Sequence, residues 1–190
     1  MEKKVILALS VIFMFFMAGL FIFYFMKDDT SRWQVAAGGI LVSALPLLLL
    51  IMKHRPFNIP IILAYYVFIF CSTFLGSIGK FYLHILWWDT VLHLYKGIFM
   101  GFIALFLFKI FVKPEDRKGT SPLLLFLFSL SLAASSSVFW EVYEFFGDLY
   151  YTETMQRGGN ADTMRDLLAG LGGGLASAIY AAFRQKQSNI

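Results

Sequence analysis

Apolar residues fill this chain in blocks rather than at a fixed period. Six blocks, at about 5–26, 33–52, 59–79, 89–112, 121–147 and 163–183, carry few charges. Polar connectors separate them: KDDTSR, KHRPFN, a Trp-rich stretch near 80–88, KPEDRKGT, and a longer loop from Leu149 to Asp162. Each block approaches or exceeds the ~20 residues that take a helix across the hydrocarbon core of a bilayer. Most blocks are apolar all round, so periodicity does not separate a packed face from a lipid face. Pro56, Pro60 and Pro122 sit where helices begin. Pro46 falls inside the second block, where a missing backbone donor predicts a kink. The prediction is an all-α fold, a polytopic transmembrane helical bundle of six spans forming a single membrane domain over 1–190.

Composition agrees. Of 190 residues, 59% are hydrophobic and 15% charged, against roughly 45–50% and about 25% in soluble domains. No basic face or binding motif supports a nucleic-acid partner; membrane lipids are the expected partners, and a homo-oligomer is compatible with the chain. The single cysteine, Cys71, lies in an apolar run, leaving neither a disulfide nor a cysteine-based metal site. Lys3 and Lys4 before Val5–Met26 resemble a signal peptide. That block exceeds the ~7–15 residues of a signal core and no A-x-A-like site follows, so it reads as an uncleaved first span.

The net charge of +4 sets topology. Lys3, Lys4, Lys53, Arg55, Lys109, Lys113, Arg117, Lys118, Arg184 and Lys186 fall on one side of the six spans. Lys27, Arg32, Lys80, Arg157 and Arg165 fall on the other, and Lys96 lies within a span. The excess of Lys and Arg on cytoplasmic loops then predicts that both termini are cytoplasmic. Trp33, Tyr82, Trp87, Trp88, Tyr150 and Tyr151 form an aromatic belt at the outer interface. His54 and His84 read as interfacial residues, and the methionines as packing filler.

With that topology, scattered polar residues gather near the outer face. Span four carries Asp89, His93 and Lys96, four and three apart and so on one helical face. Span five ends with Glu141, Glu144 and Asp148, and span six begins with Asp162 and Asp166. At ~1.5 Å per residue, His93 lies about 6 Å deeper than Asp89, and Asp166 about 6 Å deeper than Asp162. Asp89, Asp148 and Asp162 are shallow enough to be hydrated. Glu141, Asp166, His93 and Lys96 are deeper, and ionisable groups there face one another or a water-filled cavity rather than lipid. Small residues flank the same stripes: Gly97 and Gly101, Ala133 to Ser137, and Gly170, Gly172, Gly173, Gly174, Ala176 and Ser177. Such residues let membrane helices approach closely.

The segments "WDTVLHLYKG", "WEVYEFFGD" and "ADTMRDLLAGLGG" resemble the three signature segments of the YjdF-like inner-membrane proteins of bacteria, and more distantly those of VanZ-like membrane proteins. The resemblance covers about residues 88–178. It implies a multi-pass protein of the bacterial plasma (inner) membrane and a residue set of Asp89, His93, Glu141, Glu144, Asp162 and Asp166, with no activity attached. Lys96 departs from the neutral polar residue expected there. Glu144 and Asp166 stand where VanZ-like chains tend to have Gln and Asn.

Four uses of this cluster remain open. His93, Glu141, Glu144 and Asp166, with Asp89, offer oxygen ligands and one imidazole, a set suited to Zn, Mn or Fe. Neighbouring carboxyls with a histidine also suit acid–base chemistry on a lipid-type substrate. Buried ionisable residues mark proton or ion pathways as well, which would make the protein a small coupled transporter. The fourth use is structural: Lys96 and His93 neutralise the acids and clamp three helices, as in an assembly protein.

Overall fold

A computed structural model describes residues 2–51, 58–117, 119–150, 155–156 and 158–188. Lys53, His54, Arg55, Pro56, Lys118, Tyr151 and Arg157, which carried expectations above, lie outside the described residues. Among the described residues the chain is helical and has no strand. In order it forms α1 (Glu2–Phe25), α2 (Thr30–Ala44), a 3-10 turn (Leu45–Leu47), α3 (Leu48–Ile51) and α4 (Ile59–Ile69), which continues as a π-helix (Phe70–Ile78). Then follow α5 (Phe81–His84), α6 (Trp88–Phe111), α7 (Pro114–Arg117), α8 (Pro122–Tyr150) and α9 (Asn160–Ser188).

Six helical stretches are long and apolar enough to cross a membrane: Lys3–Phe25, Thr30–Ile51, Ile59–Ile78, Trp88–Phe111, Pro122–Tyr150 and Asn160–Gln187. They are the six blocks of the sequence, with shifted ends. The fifth and sixth are longer than expected, because Asp148 and Asp162 interrupt an apolar count without interrupting a helix. The chain divides into two compact units, Met1–Trp88 and Asp89–Ile190.

In the first unit α1 packs along α2. Met17 is fully buried, and a Cβ on Gly39 would sit 2.8 Å from its sulfur. Ile6, Ile62 and Tyr66 form a core joined by Leu9 and Phe13. Pro46 breaks the second span at the 3-10 turn, as its position predicts. It has no N–H for the Val42 carbonyl four residues back, which accepts from the Leu45 N–H instead. Tyr65 donates its hydroxyl to that carbonyl at 2.6 Å, and Tyr66 donates to the next one, Ser43, at 3.0 Å. Ser10 meets the Tyr66 hydroxyl at 2.6 Å. In a bilayer, where no water reaches such groups, these tyrosines mend the kink. At the other end, Asp29 caps α2 by accepting from the Arg32 N–H at 3.2 Å. The Arg32 guanidinium donates to Asp29 (2.7 Å) and to the Ile78 carbonyl at the end of the π-helix (3.0 Å).

The second unit is built on small residues. Buried positions on α8 run Leu125, Ser129, Ala133, Ser137, Glu141 and Glu144, one per turn along a single stripe. The α9 stripe runs from Asp166 through Gly170, Gly173, Gly174 and Ser177. A Cβ on Gly97 would run into the Gly170 carbonyl oxygen, and one on Gly173 into the Leu94 carbonyl oxygen. A Cβ on Gly174 would lie 2.6 Å from that of Ala133. The backbones of α6 and α9 therefore touch, and Ala133 brings α8 close against α9, as small residues permit in membranes. Ser129 adds a hydrogen bond to the Gly101 carbonyl at 3.1 Å. Towards the chain's C-terminal end, Phe108, Leu125 and Ala181 close the unit.

Candidate functional site

The polar residues of the second unit converge where these stripes change from small to ionisable. His93 and Lys96 come from α6, Glu141 and Glu144 from α8, and Asp166 from α9. Their exposures are 2%, 6%, 5%, 9% and 2%. Asp89, at the start of α6, is half-buried. Spacing explains the convergence: Ser137 and Glu141 share the face that packs on α9, and Gly170 lets α9 come close enough for Asp166 to join them.

His93 lies between two carboxyl groups. Its Nε2 is 3.5 Å from Asp89 Oδ1, and its Nδ1 is 3.4 Å from Glu141 Oε1. Neither contact is a hydrogen bond. His93 Nε2, Glu141 Oε1, Asp166 Oδ1 and Ser137 Oγ are buried without a hydrogen-bond partner among the described residues. An unpartnered buried polar atom costs about 1–3 kcal/mol, so four in one place require an explanation. Two ligand groupings share the imidazole: Asp89, His93 and Asp166, and His93, Glu141 and Glu144, each with donor atoms within 4.8 Å of one another. Tetrahedral bonds of ~2.0–2.2 Å hold neighbouring donors roughly 3.3–3.6 Å apart. The contacts at 3.4 and 3.5 Å have the spacing of atoms that share an ion rather than a proton.

Lys96 does not meet a carboxylate directly. Among the described residues it makes no ion pair within 4.0 Å; its ammonium lies 3.4 Å from His93 Nδ1 and 4.6 Å from the centre of the Trp140 ring. Trp140 in turn donates its indole N–H to Glu144 Oε1 at 2.8 Å. Asp89, Glu141, Glu144 and Asp166 thus face a single lysine, leaving three negative charges to be matched by protons or a cation if all four carboxyls ionise.

Asp162 stays outside both ligand groupings. It pairs with the exposed Arg165 at 3.6 Å and accepts from the Gly158 N–H at 3.4 Å. Asp148, expected to be merely hydrated, has a definite task. Its two carboxylate oxygens accept from the N–H groups of Met155 (2.9 Å) and Gln156 (2.7 Å), which lie in the connection where no helix supplies acceptors. A cleft of about 570 Å³ opens beside it between the ends of α8 and α9. Glu141, Gln156, Asn160 and Thr163 give it a polar side, and Val142, Phe145 and Leu149 an apolar one. Gln156 donates to the Thr163 hydroxyl at 3.0 Å.

Three contributors escaped the sequence reading. Ser137 stood among the small residues, although its place four before Glu141 puts it on the same face. Trp140 was one aromatic among many, although it precedes Glu144 by four. Nothing in the sequence marked Thr163.

A family model described as "Predicted membrane protein (DUF2238)" matches residues 8–187. No curated protein and no solved structure matches the chain. The family match agrees with the YjdF-like resemblance; the VanZ-like one stays a likeness of motifs.

Proposed function

The chain belongs to the DUF2238 family of predicted membrane proteins, and from that premise we propose that its second unit is a membrane-embedded divalent-metal centre. Asp89, His93 through Nε2, and Asp166 are its ligands. Glu141 lies on the far side of the imidazole, 3.4 Å from Nδ1, in place to accept the Nδ1–H and orient the ring once an ion is bound at Nε2. The donor set of two carboxylates and one imidazole suits Zn, Mn or Fe(II) and leaves coordination positions open. A bound ion would supply an activated water. Glu141 and Glu144 would then handle protons for an amphipathic, lipid-type substrate whose head group enters the cleft past Thr163 and whose chain lies along Val142, Phe145 and Leu149. Lys and Arg placement supports cytoplasmic termini and a site near the outer face of a bacterial plasma membrane.

One observation carries this reading: His93 Nε2 and Asp166 Oδ1 are both buried and unpartnered, in one ligand grouping. A structural clamp explains them less well. Gly97, Gly170 and Gly173 already hold α6 against α9, and a clamp would pair these atoms rather than leave them open. Elemental analysis of the purified full-length chain tests the proposal. Wild type should carry about one divalent ion per chain, and His93→Ala and Asp166→Asn should carry none while keeping their helix content. Wild-type protein that holds no stoichiometric metal after incubation with zinc, manganese and ferrous ions would overturn it.

A further inference from the structure

His93 has two nitrogens and two ligand groupings, one on each side, and the second grouping already has a cation beside it. We infer that the ammonium of Lys96 is the resident cation of a second ion site, formed by His93 Nδ1, Glu141 and Glu144, and that it keeps the centre mononuclear. This rests on the metal reading of the first site but has its own readout.

His93, Glu141 and Glu144 present donor atoms within 4.8 Å of one another, and Nδ1 is the nitrogen that faces Glu141, at 3.4 Å. Lys96 reaches this grouping from three residues along α6, and its Nζ stands 3.4 Å from Nδ1. At 6% exposure the ammonium is buried, yet it forms no ion pair within 4.0 Å among the described residues. Its charge lies over the Trp140 ring, 4.6 Å away, beside the Nδ1 edge of the imidazole. Aromatic faces hold ammonium ions in this way. Glu141 Oε1, 95% buried and unpartnered, points at the same nitrogen from 3.4 Å. A fully satisfied lysine–carboxylate bridge would have closed that oxygen. Lysine contributes charge without replacing the ligand bonds, and that is the signature of a stand-in for an ion.

The consequence concerns stoichiometry. An ammonium at Nδ1 repels a second divalent ion and occupies its approach, so His93 serves one metal through Nε2. Removing the lysine removes both obstacles. Ligation through both nitrogens would then make the ring a bridging imidazolate, the proton that Nδ1 carries while Nε2 holds the first ion passing to water. Lys96 in this account is a specificity-determining residue: it fixes how many ions the centre takes.

Equilibrium dialysis with zinc and then manganese, on the full-length chain in detergent or nanodiscs, measures the difference between variants. Lys96→Ala should bind one ion more per chain than wild type, and Lys96→Arg the same number as wild type. Lys96→Met, which keeps the length of the side chain in an apolar setting, should repeat the Ala result if Lys96→Ala folds poorly. Adding Glu141→Gln to either variant should abolish the extra ion, and methylammonium should expel it from Lys96→Ala. A Lys96→Ala or Lys96→Met protein with wild-type helix content and no extra ion overturns the inference. An extra ion that survives Glu141→Gln also overturns it. Wild type binding no ion would defeat the metal reading of the first site, while the increment between variants would still decide this one.

Discussion

The two units solve one problem in opposite ways. Both must keep polar atoms out of contact with lipid. The first unit satisfies its own: Tyr65 and Tyr66 donate to the carbonyls of Val42 and Ser43 before Pro46, and Arg32 serves both Asp29 and the end of the π-helix. The second packs more closely, through glycine and serine, and still leaves four buried polar atoms open around His93. On the metal reading proposed above, the open atoms are ligand positions, whereas the closed network of the first unit is a scaffold.

The comparison can be broken most directly at the glycine contacts. Gly97→Ala drives a methyl group into the Gly170 carbonyl and should destabilise the chain by about 1–3 kcal/mol or more. Gly38→Ala, with nothing within 4 Å of its Cβ, should be neutral. Thermal unfolding of both variants in one detergent checks this; equal midpoints would show that α6 and α9 do not touch as described.

Next in size is Tyr66→Phe, which strands the Ser43 carbonyl and should cost about 1–2 kcal/mol. Its metal content should equal that of wild type. A loss of metal would mean that the first unit is more than a scaffold.

The reverse experiment is Asp166→Asn. Because Asp166 Oδ1 has no partner, removing its charge should change stability by less than ~1 kcal/mol or raise it, while ion binding disappears. Glu141→Gln should weaken ion binding by about 10–100-fold, the effect of losing an orienting carboxylate. Destabilisation by several kcal/mol in Asp166→Asn, with no loss of any bound ion, would hand the site to the structural clamp.

The smallest effect belongs to Asp29. The backbone N–H of Arg32, then its guanidinium, hold this carboxyl below the ordinary carboxylate value of 3.8. A lowered folded-state pKa stabilises the fold above the unfolded value and loses that contribution as pH falls through the folded one. Asp29→Ala should therefore unfold slightly earlier than wild type at neutral pH. The two midpoints should draw together below about pH 4. A gap that stays constant down to pH 2 would show that capping geometry, not charge, is what Asp29 provides.

How much could be read from the sequence differs between the units in the same sense. Span number followed from block length, because a bilayer demands ~20 apolar residues whatever they pack against. The acids on α8 and α9 were legible because spacings of three and four fix a shared face. The glycines of α6 and α9 announced close approach. The place of Lys96 was legible but not its direction: a long side chain can reach up or down its helix, and spacing does not say which way it turns. The tyrosine repair of Pro46 joins residues some twenty positions apart, and no local pattern encodes it. Asp148 looked idle because its partners are backbone amides in a connection without periodicity.

The α8 stripe has one more implication. Leu125, Ser129, Ala133, Ser137 and Glu141 follow one another in steps of four, each about 6 Å along the helix. The stripe works as a ruler whose only marks are whole turns. A carboxyl group cannot drift gradually deeper along this helix and keep facing its partners. Between 137 and 141 it has no place, since Val138 and Phe139 are exposed and Trp140 is already taken up by Glu144 and Lys96. Variants of such a protein should therefore differ in the depth of their acid by discrete notches, and Ser137→Glu with Glu141→Ser is the one-notch test of that gauge.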